Sequence, residues 1–213
     1  PVPLAGHFEE RFLSLPRELL VSVLQDHQRY FPLEGPDGRL LPVFLTVANI
    51  PSSDPAIVRA GNERVVRPRL SDAAFFWEQD RRQPLASRTA QLDSVTFQAQ
   101  LGSIGDKVRR VEPLARAIAA RIGGEEALAA RAAMLCKNDL VTNLVGEFPE
   151  LQGSMGGYYA DADGETAEIG RAIAGHYQPR GAGDAVPATL AGLAVSIADK
   201  LDTVLARVDA CRE

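Results

Sequence analysis

Apolar positions along the chain follow two rhythms. Up to about residue 55 they come in short clusters separated by turn residues, and beyond about residue 65 they recur at three- and four-residue spacing. In the first stretch, Pro16 to Leu24 carries Leu19, Leu20, Val23 and Leu24 at the spacing of a short helix, with Ser14 as its expected cap. Arg29 to Leu33 reads as a strand. Gly35-Pro36-Asp37-Gly38 is a turn signal, because Gly and Asp tolerate the backbone angles that a reversal needs and Pro presets one of them. Leu40 to Val47 is rich in Val, Leu, Phe and Thr and reads as a second strand, completing a hairpin that exits through Asn49-Ile50-Pro51.

The second rhythm predicts helices. Pro68 suits the first turn of one, where its missing N–H is harmless, and Leu70, Ala73, Ala74 and Trp77 follow at helical spacing. A helix from Asp106 carries Val108, Val111, Leu114, Ala115, Ile118 and Ile122 and stops at Gly123-Gly124. A third runs from about Glu125 to Val145, with Leu128, Ala132, Leu135 and Cys136 on one stripe. Gly153 to Gly157, with Asp161 to Gly164, reads as loop. A short helix from Glu165 carries Ile169 and Ile173 to His176. The last helix follows Pro187 and is apolar nearly all round (Leu190, Leu193, Ala194, Ile197, Leu201, Val204, Leu205), which places it at the centre of a bundle. The expected class is mainly α, a helical bundle preceded by a small α+β region. The expected organisation is an α+β region over 1–60, a basic connecting helix over 61–90 and a helical domain over 91–210.

Composition narrows the classes. Of the 213 residues 46% are hydrophobic, enough for a sizeable core, and no apolar run approaches the roughly 18 residues that span a bilayer. The first residue is Pro1 and the last is Glu213, and both ends read as cuts in a longer protein. Cys136 and Cys211 share no metal-ligand spacing and make no disulfide framework, which suits a reducing cytoplasm; Cys136 reads as a small core residue. A net charge of −5 gives no global field for nucleic acid. The distribution is uneven, however. Arg59, Arg64, Arg67, Arg69, Arg81, Arg82 and Arg88 precede Lys107, Arg109, Arg110, Arg116 and Arg121, whereas Asp139 to Glu168 holds no Lys or Arg. A polyanion would meet a basic front half; solvated helix faces would carry the same charges.

Asp139 shares the inward face of Leu135 and Cys136, and Asp199 lies in the helix expected at the bundle centre. An inward carboxylate is costly unless it is paired, hydrogen-bonded or bound to metal. Two such groups on different helices could hold a divalent cation, although a stable site needs more ligands; each could equally cap a helix or meet a buried donor. His27 and His176 lie at helix ends, where a lone imidazole commonly acts as a cap. The sequence contains no Walker or dinucleotide loop, nucleophile elbow, Cys-x-x-Cys or His-Glu-x-x-His.

Several phrases carry a family resemblance. They are Gln25-Asp26-His27-Gln28-Arg29-Tyr30-Phe31, then Gly61-Asn62-Glu63-Arg64-Val65-Val66 with Arg69-Leu70-Ser71-Asp72-Ala73, and Leu101-Gly102-Ser103-Ile104-Gly105-Asp106-Lys107. Cys136-Lys137-Asn138-Asp139-Leu140-Val141-Thr142-Asn143 with Glu147-Phe148-Pro149-Glu150-Leu151-Gln152-Gly153 follows, then His176-Tyr177-Gln178-Pro179-Arg180 and Ala198-Asp199-Lys200-Leu201-Asp202-Thr203. In this order and spacing they resemble the beta subunit of bacterial heterotetrameric glycyl-tRNA synthetase, as far as about Thr203. After that residue the family continues with a glycine-rich phrase that Val204 to Glu213 lack.

The resemblance implies a partner alpha subunit that holds the class II catalytic core with glycine, ATP and Mg, and a beta subunit that handles tRNA(Gly). It also implies that the helical domain is HD-like, related to metal-dependent HD phosphohydrolases. By register, Lys107 stands near the first His of that metal site, Asn138-Asp139 at its His-Asp pair and Asp199 at its distant Asp. The expected vestigial pocket is therefore Lys107, Asn138, Asp139, His176 and Asp199, with no catalytic residue and no metal, and with Lys107 neutralising Asp139. The charge map makes Arg64, Arg67, Arg69, Arg81, Arg82, Lys107, Arg109, Arg110 and Arg180 the expected tRNA contacts. The competing readings are a metal-dependent HD-type phosphohydrolase and an interaction domain that touches only the alpha subunit. No membrane or DNA partner is expected.

Overall fold

A computed structural model describes residues 1–98 and 101–210, and for Ala206, Arg207, Asp209 and Ala210 the backbone alone. Cys211 lies outside the described residues. The chain divides into two compact units, Pro1–Asp80 and Arg81–Glu213. The fold is mainly α, with one small sheet in each unit.

The first unit is built on three antiparallel strands, β1 (Val2–His7), β2 (Phe31–Glu34) and β3 (Leu40–Ala48), in the order β1-β3-β2. The hairpin β2–β3 follows the expected turn. Strand β1 was not visible as a strand in the pattern, since Pro3, Ala5 and Gly6 are poor strand formers. Between β1 and β2 lies α1 (Arg17–Val21), which runs into a π-helical turn over Ser22–His27. Ser14 does not cap α1. Its hydroxyl donates to the Arg11 carbonyl, and Pro16 holds the cap position without a side-chain bond.

Period-two alternation gives the sheet its faces. Register pairs Gly6 with Phe44 and Ala5 with Leu45. Phe44 is fully buried and stacks on Tyr30 at 4.7 Å between centroids, and the Tyr30 hydroxyl donates to Asn62. On the opposite face Phe31, Leu41 and Val47 remain at least 40% exposed.

Helix α2 (Pro55–Asp80) begins well before Pro68, which lies inside it. The overlooked start signal is Asp54-Pro55: the Asp54 carboxylate accepts from the N–H groups of Ala56 and Ile57, and Pro55 opens the helix. Val66, Leu70 and Ala73 form its buried stripe. This helix belongs to the first unit, so the division of the chain falls between Asp80 and Arg81.

The second unit opens with a 3-10 stretch, Leu85–Ser94, and a two-strand ribbon, β4 (Thr96–Gln98) and β5 (Gly102–Ser103). Helix α3 (Ile104–Ile122) starts at a capping box between Ser103 and Asp106 and ends at Gly123, whose φ of 76° permits the left-handed stop. The expected helix to Val145 is interrupted. Helix α4 (Glu126–Leu135) ends near Cys136, a 3-10 turn covers Asn138–Val141, and α5 (Asn143–Glu147) restarts with the Thr142 hydroxyl accepting from Val145 N–H. The glycine-rich stretch expected as loop holds α6 (Ser154–Ala162). Gly156 and Gly157 sit there because Ile173, Asp139 and the Gly170 carbonyl crowd them, a packing reason that local propensity does not reveal.

Helices α7 (Ala167–Gly175) and α8 (Leu190–Ala210) complete the bundle. Helix α8 packs on α3, α4 and α7. Its buried apolar positions are Ala191, Ala194, Val195 and Ala198, whereas Leu201, Val204 and Leu205 are exposed, so its apolar burial is confined to the first half.

Gly6 lies under the Phe44 ring with no room for a methyl group. Gly6→Ala is therefore expected to cost about 1–3 kcal/mol of stability through overpacking, read as a lower urea midpoint with unchanged slope.

Candidate functional site

The break after α4 positions the site. Had the helix continued, Lys137, Asn138 and Asp139 would fan around it at 100° steps. The 3-10 turn instead aims the three side chains at three different partners, and all three are at most 5% exposed.

Asn138 turns toward the 3-10 stretch Leu85–Ser94, donating to the Leu85 carbonyl at 3.0 Å and the Thr89 hydroxyl at 2.8 Å. Asp139 turns toward α6. Its Oδ2 accepts from the N–H groups of Gly153 at 2.5 Å and Gly156 at 3.1 Å. Gly153 presents its N–H through a left-handed φ of 84°, strained for any residue with a Cβ. A helix start stabilises a carboxylate through its unpaired N–H groups and dipole. The other oxygen, Oδ1, has no hydrogen-bond partner among the described residues. Burial pushes the Asp139 carboxyl up to about 6, opposed by those two N–H groups and by the Lys137 charge.

Lys137 turns toward α7 and α8. Its Nζ lies 2.9 Å from Nε2 of His176, 3.2 Å from Oδ2 of Asp199 and 3.9 Å from the centre of the Tyr177 ring. These contacts fix the imidazole. Nδ1 lies 2.6 Å from the Ile173 carbonyl, which can only accept, so Nδ1 carries the proton. An ammonium can only donate, so Nε2 is the acceptor and the ring is neutral. Burial, reinforced by the Lys137 charge, pushes its pKa down to about 3.

Lys107, on the buried face of α3, approaches Asp199 from the other side. Its Nζ is 3.2 Å from Asp199 Oδ1 and 3.3 Å from Asp202 Oδ2, and it donates to the Asp199 carbonyl and the Thr203 hydroxyl. Arg110 grips Asp202 with two nitrogens, at 2.7 and 3.2 Å. Burial disfavours ionisation of Asp199, but Lys137 and Lys107 outweigh it and hold the carboxyl below the usual carboxylate range. Buried charges are thus compensated in a chain: His176, Lys137, Asp199, Lys107, Asp202, Arg110.

The expected pocket residues separate accordingly. Lys107, His176 and Asp199 belong to this chain of contacts. Asn138 faces elsewhere, and Asp139 is stabilised by α6 rather than by Lys107. Sequence reasoning passed over Lys137 and Asp202. Asp202 was accessible, because Asp199 and Asp202 are three apart on an apolar helix and must share a face. Lys137 carried no local signal, since its direction depends on the helix break.

A divalent cation does not fit here. Both Asp199 oxygens face ammonium groups, His176 Nε2 already accepts a proton, and Asn138 is turned away. Among the described residues no group of three or more His, Cys, Asp or Glu side chains could hold a metal ion. The phosphohydrolase reading has no support. Cys136 is buried, and burial pushes its thiol up to about 12, which suits the expected core role.

The basic residues also divide. Arg64, Arg67, Arg69, Arg81, Arg82 and Arg180 are exposed, with Arg67 3.4 Å from Glu9. Lys107 is 3% exposed and engaged by two carboxylates, so its assignment as a tRNA contact is corrected: it cannot reach a phosphate. Arg110 is occupied by Asp202, and Arg109 by Asp93 and Asp106. Arg109 borders an open cleft of about 490 Å³ lined by Asp93, Thr96, Gln98, Gly102, Ser103 and Asp106. His27 is exposed in the first unit.

A family profile described as "Glycyl-tRNA synthetase beta subunit" matches residues 1–210. The chain belongs to that family. It is similar to the glycine–tRNA ligase beta subunits of Pseudomonas syringae pv. tomato (57% identical over 205 residues) and Ectopseudomonas mendocina (56% over 205 residues). The beta subunit of Azotobacter vinelandii is 58% identical over 205 residues. Each match covers 96% of this chain and 30% of the relative, so the chain spans less than a third of the curated family members it matches. The family match also extends past Thr203, taking in most of the tail that departs from the expected glycine-rich phrase. Among the described residues no helix is long and apolar enough to cross a membrane.

Two stability predictions follow from the buried charges. Lys107→Met leaves Asp199 Oδ1 and Asp202 Oδ2 without their ammonium and is expected to cost about 3–5 kcal/mol in urea unfolding. His176 is protonated more readily unfolded (about 6.5) than folded, so its contribution is present above pH 6.5 and is lost as pH falls toward 3. Asp139 has the opposite sign: its contribution is full below about pH 3.9 and is lost as pH rises through 6. Asp139→Asn is therefore expected to lose stability more steeply than the parent on acidification from pH 6.5 to 4, by on the order of 2–3 kcal/mol, measured as urea midpoints across that range.

Proposed function

We propose that this chain is a non-catalytic part of a cytoplasmic glycine–tRNA ligase beta subunit that contributes to binding tRNA(Gly) and to assembly with the alpha subunit. The alpha subunit supplies the ATP- and Mg-dependent aminoacylation chemistry. Family membership is the observation that carries this reading.

The described geometry supports it in three ways. In the buried centre of the helical unit both nitrogens of His176 are engaged, and the Cys136 thiol is held protonated. That arrangement suits a scaffold derived from an HD-like domain better than a hydrolase. Exposed arginines on and beyond α2, namely Arg64, Arg67, Arg69, Arg81, Arg82 and Arg180, present guanidinium groups suited to phosphate. Arg109 and Arg110 are weaker candidates because carboxylates already neutralise them, and Arg67 is partly neutralised by Glu9. The apolar sheet face around Phe31, Leu41 and Val47 suits burial against another subunit.

Phosphate contacts release counterions, so their loss appears in the salt dependence of binding. Replacing Arg64, Arg67 and Arg69 together with Glu is expected to weaken tRNA(Gly) binding about tenfold or more at low salt and to flatten the plot of log affinity against log salt by about 2. Filter binding or fluorescence anisotropy across a salt series measures both. Unchanged affinity and slope would remove these residues from the interface.

A further inference from the structure

The chain that leaves α7 is fastened on both sides of Arg180. On the near side the Gln178 carbonyl accepts from Lys200 Nζ at 2.9 Å and from the Ser196 hydroxyl at 2.5 Å, two donors one turn apart on α8. Lys200 Nζ also donates to the Ser196 oxygen at 2.8 Å and to the Tyr177 carbonyl at 3.4 Å. An ammonium has three N–H groups, and here three oxygens receive them, so Lys200 keeps none for an outside anion. On the far side Arg180 donates its backbone N–H to Asp184 Oδ2 at 2.8 Å. Asp184 Oδ1 accepts from the Ala185 N–H, and the Asp184 N–H reaches the Gly181 carbonyl, which closes the turn.

The Arg180 side chain has the opposite character. It is exposed, and its guanidinium has no carboxylate partner among the described residues. Its Cζ lies 6.0 Å from the centre of the Tyr177 ring, at the outer limit of a cation–π contact. That ring is itself pinned: it leaves no room for a Cβ at Gly153 and lies 3.9 Å from Lys137 Nζ. Arg109 and Arg110 in the same unit differ, because carboxylates engage their guanidiniums.

We propose that Arg180 is a preorganised phosphate contact for tRNA in the second unit, and that Lys200 is its positioning residue, acting through the Gln178 carbonyl. The proposal rests on the tRNA(Gly) reading above and deepens it. A guanidinium offers a planar fork of donors to a phosphate oxygen pair. Carried on a fixed backbone, it loses less conformational freedom on binding than one on a loose loop. Lys200 raises the affinity without touching the nucleic acid.

Arg180→Gln, Lys200→Met, Ser196→Ala and the double variant Arg180→Gln/Lys200→Met of the 213-residue chain are compared for tRNA(Gly) binding by fluorescence anisotropy across a salt series. Arg180→Gln is expected to weaken binding about fivefold at low salt and to flatten the plot of log affinity against log salt by about 1. Lys200→Met is expected to reproduce most of both changes, and the double variant to add little to Arg180→Gln. Additive losses, with the double variant flattened by about 2, would make Lys200 a phosphate ligand in its own right and overturn the positioning role. Parental affinity and slope in Arg180→Gln would overturn the site and leave the tRNA reading standing, whereas a parent that binds no tRNA removes both. Ser196→Ala keeps the positioning role testable if Lys200→Met fails to fold. It deletes one of the two donors to Gln178 and is expected to bind with an affinity between those of the parent and Arg180→Gln; parental binding by folded Ser196→Ala counts against the role.

Discussion

Asp199 sets the terms for the interior of the helical unit. A carboxylate so deeply placed is tolerable only with positive charge beside it, and α8 is packed on three sides by α3, α4 and α7. The compensation therefore has to come from those neighbours. It arrives as Lys107 from α3 and as Lys137 from the turn after α4, with His176 at the end of α7 accepting from the second ammonium. Two segments far apart in sequence reach the Asp199 side chain directly, and a third joins through Lys137. With the helix interrupted after Leu135, Lys137 reaches α8 and Asp139 reaches α6.

Much of the fold was legible in local pattern. The β2–β3 hairpin, the stop of α3 at Gly123 and the class of the chain all follow from turn residues and period. The failures have a common cause in tertiary context. Glycines weaken helices, so local pattern predicts loop where α6 forms, yet Gly156 and Gly157 are required by the closeness of Asp139, Ile173 and the Gly170 carbonyl. Pro68 reads as a helix start because the Asp54-Pro55 signal lies outside the apolar pattern. The half-exposed α8 reads as a core helix because apolarity alone does not say what covers a face.

The site divides in the same way. Asp139 and Asp199 announced themselves as carboxylates on apolar stripes, and burial confirmed that both needed an answer. Their answers were not legible. Asp139 relies on backbone N–H groups that a sequence does not display, and Lys137 owes its direction to a break that helix periodicity cannot predict. His176 was legible only as an imidazole at a helix end, and its two contacts fix which nitrogen holds the proton.

The opening of α3 has a consequence for nucleic-acid contact. Unpaired amides at the beginning of a long helix form a natural seat for an anion. Here Ser103 and Asp106 take that seat themselves: the Asp106 carboxylate accepts from the Ser103 amide, and Arg109 is drawn in beside it. The cleft they border carries its own counter-charge, so an RNA strand crossing this unit would find the helix mouth already closed by an internal acid.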